Sequence, residues 1–164
     1  MSRRALRVLN AIVIMGLLTG WTYTTQRWSM WGLFEGFSAP ASLFLGLTAA
    51  VATWLFFPCF LRSLSRYPAA RGIRLIMFSA FDGIVYTAAI VWLAFTLTLC
   101  LSFFLGYSLN GVLLHGGGNS VADSVFISFG AVWALVPCSP MIGVAGGCLG
   151  FINVFLLRSR TPES

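Results

Sequence analysis

Four stretches of this chain run for roughly twenty residues or more with almost no charge, which limits what it can fold into. They extend from about Ala5 to Thr24, Ser38 to Leu61, Leu75 to Tyr107 and Ser124 to Leu157. A helix needs about 20 predominantly apolar residues to cross bilayer hydrocarbon. Four such runs predict an all-α fold: an integral membrane four-helix transmembrane bundle.

Composition points the same way. Of 164 residues, 59% are hydrophobic and only 9% are charged, with a mean hydropathy of +0.91. Soluble domains carry about a quarter charged residues, so a surface polar on all sides is out of reach and a lipid bilayer is the expected partner. The net charge of +6 is no sign of nucleic-acid binding. Every basic residue is an arginine, and these sit at the ends of apolar runs, where the positive-inside rule puts them. Cys59, Cys100, Cys138 and Cys148 lie within or at the edge of apolar runs without CxxC spacing. That pattern supports neither a disulfide framework nor a zinc site. Small packing residues are the simpler reading.

The arginines orient the chain. Arg3, Arg4 and Arg7 precede the first run; Arg62, Arg66, Arg71 and Arg74 lie between the second and third; Arg158 and Arg160 follow the fourth. With four crossings all of these share one side, and Arg27 alone falls on the other. The expected topology is N-in/C-in, with both termini cytoplasmic, and a bacterial inner membrane is the simplest setting. The opening "MSRRALR" has the charge of a signal-peptide n-region, but no small-residue cleavage site follows. The first run therefore reads as a retained anchor. No repeat or linker divides residues 1–164, which read as a single transmembrane domain.

In lipid, helices associate through small residues that allow close approach and polar groups that find one another. Gly143, Gly146, Gly147 and Gly150 mark one face of the fourth run, preceded by Ser139 and extended by Asn153. They contain two overlapping GxxxG pairs. That face is expected to pack, within the chain or against a membrane-protein partner or homo-oligomer. In the third run, Ser79, Asp82, Tyr86, Ala89, Leu93, Thr96 and Cys100 follow heptad-like steps that predict an inward seam. Gly16 and Gly20 suggest a weaker inward face on the first run.

Chemistry has few places to sit. Asp82 is the one acidic residue inside a run, and an unpaired aspartate at mid-membrane costs about 2.5–3.5 kcal/mol on insertion scales. Asn10 and Asn153 fall at similar depth, which predicts an intramembrane polar cluster of Asn10, Asp82 and Asn153. Pro137 and Pro140 are expected to kink or break the fourth helix. Trp28, Trp31 and Phe34 offer aromatic contacts in an outer loop. His115 stands alone among glycines, and no metal, cofactor or catalytic motif is expected.

The leading expectation is a non-enzymatic accessory, assembly or interaction subunit of a membrane complex. The alternative is a small oligomeric ion- or solute-transport protein using Asp82 and the proline break. Toxin immunity and a viral envelope role are further binding-type options.

Overall fold

The computed structural model describes residues 3–25, 39–65, 73–105, 132 and 135–158. They form four long helices: α1 Arg3–Thr25, α2 Ala39–Leu64, α3 Ile73–Leu105 and α4 Leu135–Arg158. All are long and apolar enough to span a membrane. The loop residues Trp28, Trp31, Phe34 and His115 lie outside the described residues, as do most of residues 124–134, the expected start of the fourth run.

The helices alternate in direction. Arg7 of α1 reaches Trp54 of α2, Ser63 of α2 meets Asp82 of α3, and Asn10 of α1 pairs with Asn153 of α4. The amino ends of α1 and α3 thus share one end of the bundle with the carboxyl ends of α2 and α4. Packing is most extensive between α3 and α4 and between α1 and α2, then between α2 and α3. Helices α1 and α4 close the ring over the smallest contact. The bundle is two tight pairs joined along two seams.

Its distribution of side chains is inside-out relative to a water-soluble protein. Asn10, Thr22, Ser42, Thr53, Ser79, Thr87, Thr98 and Asn153 are buried, while Leu43, Val51, Leu55, Met77, Phe81, Val85, Val144 and Phe155 face outward. An apolar side chain gains little by leaving lipid for protein, whereas a hydroxyl or amide gains a partner. The exterior therefore suits a bilayer.

Two expectations about helix geometry are corrected. The α3 seam keeps Ser79 and Tyr86, with Leu93 packed against the core and the Thr96 hydroxyl buried, but it also takes in Gly83, Thr87, Ile90, Val91 and Ala94, while Ala89 turns outward. Ser79, Gly83 and Thr87 meet Gly146 and Gly150 of α4, and this face, rather than the one through Asp82 and Ala89, turns inward. The second concerns α4, whose described helix runs through both prolines, so of the kink or break expected there the break is not seen. Pro140 withholds the N–H that Val136 would normally receive, and the Ser139 hydroxyl donates to that carbonyl instead, at 2.7 Å.

Candidate functional site

The most complete polar arrangement joins α1 to α4. Asn10 Nδ2 donates to Asn153 Oδ1 at 3.0 Å, and Asn153 Nδ2 donates back to Asn10 Oδ1 at 2.8 Å. The second hydrogen of each amide goes to a carbonyl one turn earlier, Leu6 at 2.8 Å and Leu149 at 2.7 Å. All four amide donors are therefore used. Exposure is 2% for Asn10 and 0% for Asn153. A buried unpaired amide costs about 1–3 kcal/mol, so each asparagine removes the reason for the other to seek water. Together they hold the bundle's thinnest seam near one end. Trp21 Nε1 holds the other end, donating to the Pro137 carbonyl at 3.0 Å.

Of the three residues expected to cluster, the structure unites two and separates the third. Asp82 is half-buried, and its Oδ2 accepts a hydrogen bond from Ser63 Oγ of α2 at 2.9 Å. The reason lies one residue on. Gly83 is committed to α4, and adjacent helical residues point about 100° apart. Asp82 therefore faces α2 rather than the asparagines. Deeper on the same interface, the Tyr86 hydroxyl donates to the Thr53 carbonyl at 3.1 Å while its ring stacks on Phe60 at 4.3 Å.

The glycine face of α4 divides. A Cβ on Gly150 would fall on the Ser79 carbonyl oxygen, and one on Gly146 would lie 2.8 Å from the Gly83 oxygen and 3.0 Å from Thr87 Oγ1. Reciprocally, a Cβ on Gly83 would fall on the Gly146 oxygen, and it would approach the Gly150 nitrogen to 2.7 Å. The Cα hydrogens of Gly83 and Gly150 take the direction of those absent Cβ atoms and point at carbonyl oxygens, the arrangement of Cα–H···O contacts. Sequence reasoning found Gly146 and Gly150 but missed Gly83. The signal was present as Ser79-xxx-Gly83-xxx-Thr87, a small-residue stripe matching that of α4. Gly147 only brushes Ala80, since its Cβ would lie at an ordinary 3.9 Å. Gly143 meets nothing within 4 Å, and Ser139 is exposed.

A second close approach joins α1 and α2, where a Cβ on Gly46 would strike Thr19 Oγ1 and lie 3.0 Å from the Met15 carbonyl. Gly16 and Gly20 do the opposite of what was expected. Among the described residues they are exposed and meet nothing within 4 Å.

Arg7 is a further residue that sequence reasoning left as a topology signal. Pro58 lies inside α2 and cannot donate to Trp54, four residues earlier. The Arg7 Nε–H donates to that Trp54 carbonyl, and the guanidinium lies 4.3 Å from the centroid of the Trp54 ring. One side chain thus repairs the proline's missing bond and gains a cation–π contact.

These features define a polytopic helical bundle with intramembrane polar locks. Comparison with known proteins found no matching family, curated protein or solved structure.

Proposed function

We propose that this chain is a non-enzymatic accessory or assembly subunit that docks in the membrane against another membrane protein or a second copy of itself. The observation that carries the reading is the open GxxxG pair Gly16 and Gly20 on α1, which meets nothing within 4 Å among the described residues although Gly46, Gly83, Gly146 and Gly150 are all packed. Such a pair lets a neighbouring helix approach its backbone closely. Ser139 and Gly143 form a lesser open patch on α4. The internal polar groups support assembly over transport. Asn10 and Asn153 satisfy each other, and Asp82 is tied to Ser63, so these residues serve helix register.

The described arginines Arg3, Arg4, Arg7, Arg62, Arg74 and Arg158 gather at the end of the bundle shared by the amino end of α1 and the carboxyl end of α4. On the positive-inside rule this end faces the cytoplasm, placing both termini there, with a bacterial inner membrane as the simplest setting. The test is Gly16→Leu combined with Gly20→Leu, assayed by particle size after mild solubilisation of native membranes. The expected result is loss of the larger assembly with unchanged thermal stability of the single chain. An assembly that survives this change and Gly143→Leu would refute the reading.

A further inference from the structure

We infer that Arg3, Arg4 and Arg7, with Trp54, form a binding site for the phosphate of an anionic phospholipid. Arg7 neighbours both others at helical spacings of three and four, so three guanidinium groups share little more than one turn of α1. Like charges at these spacings repel. Asp82 is the only carboxylate among the described residues, and none of the three arginines forms an ion pair with it. Among the described residues the cluster has no counter-ion.

Arg7 gives the cluster a fixed geometry. Its Nε is spent on the Trp54 carbonyl and its plane lies near the Trp54 ring, which holds the guanidinium in place. Among the described residues nothing else bonds to it, leaving the paired Nη groups to grip two oxygens of one phosphate. Arg3 and Arg4 are exposed beside it.

Depth identifies the anion's source. The apolar span of α1 begins at Arg3 itself, and Arg7 lies about 6 Å deeper at 1.5 Å per residue. Arg3 and Arg4 therefore stand at the end of the span, where lipid phosphate is the abundant anion, with Arg7 one turn inside them. An acyl surface adjoins the site, because Val51, Trp54 and Leu55 form one outward strip on α2, exposed by 58%, 41% and 61%. Basic pockets beside membrane helices bind anionic headgroups by this combination of charge and adjacent hydrocarbon.

The experiment titrates phosphatidylglycerol, phosphatidylcholine or inorganic phosphate into the full chain in neutral detergent, following bound lipid by native mass spectrometry and unfolding by temperature. Phosphatidylglycerol is expected to bind and raise Tm, while phosphatidylcholine and inorganic phosphate at equal concentration do neither. Arg3→Gln with Arg4→Gln should leave Tm without lipid unchanged and weaken phosphatidylglycerol binding about twenty-fivefold, about fivefold for each arginine. Arg7→Lys keeps the charge but loses the paired donors, and should weaken binding further. Equal binding of both lipids, stabilisation by inorganic phosphate, or full affinity in the double variant would overturn the assignment.

Discussion

Exchanging Gly83 for alanine tests the packing of the bundle where it is closest. The added methyl would fall on the Gly146 carbonyl oxygen and stand 2.7 Å from the Gly150 nitrogen and 2.8 Å from its Cα. None of these is the tip of a flexible side chain, so α3 and α4 must separate. Ordinary contact begins near 3.4 Å, which demands a shift of the order of an ångström and strips the neighbouring Ser79–Gly150 and Thr87–Gly146 contacts as well. Overpacking of this kind costs about 1–3 kcal/mol. Gly143→Ala is the matched control. Its methyl meets nothing within 4 Å, and alanine is favoured over glycine in a helix by about 1 kcal/mol. The two substitutions should therefore differ in sign, with a gap of about 2–4 kcal/mol. Reversible unfolding of the dispersed single chain in bicelles would measure it. Equal effects, or a larger loss at Gly143, would refute the close α3–α4 approach on which the fold description rests.

Asn10→Leu should cost about 1–3 kcal/mol, since it leaves Asn153 buried without its partner. The double change Asn10→Leu/Asn153→Leu should cost clearly less than the sum of the single changes, as read by a double-mutant cycle. Arg7→Gln should destabilise the normal chain by about 1.5–3 kcal/mol but matter much less beside Pro58→Ala, which restores the N–H that Trp54 lacks. A cycle across these two positions showing no coupling would refute the repair role of Arg7. Asp82→Asn retains an oxygen to accept from Ser63, so assembly and stability should be preserved within about 0.5 kcal/mol. Loss of function in a fully assembled Asp82→Asn protein would instead favour proton or ion handling.

The membrane-spanning helices were legible in the sequence because lipid imposes length and hydropathy directly, and the bounds of α1 to α3 moved by only a few residues. The Asn10–Asn153 pair was legible for a similar reason. Each lies a few residues inside an arginine-marked helix end, so depth alone brought them level. Direction around a helix was harder. Asp82 shares that region but is turned toward α2 by the commitment of Gly83 to α4, which no depth argument contains. GxxxG spacing announced close approach without naming the partner. Gly146 and Gly150 found α3, whereas Gly16 and Gly20 found nothing among the described residues. Helix continuity through the prolines was not legible because the donors that replace their missing N–H groups come from side chains. Ser139 is adjacent in sequence, but Arg7 is 47 residues from Trp54.

The unequal seams have a consequence for how the polypeptide can be made. Helices α1 and α2 are interlocked at Gly46, and α3 and α4 at Gly83, Gly146 and Gly150, each within a consecutive pair. The first half can therefore settle as a hairpin soon after it enters the bilayer, before the second has left the ribosome. What unites the halves is the α2–α3 packing, a set of hydrogen bonds and one aromatic stack, which need no covalent tether. Two separately synthesised fragments, parted between Arg66 and Gly72, should find each other in the membrane and rebuild the whole.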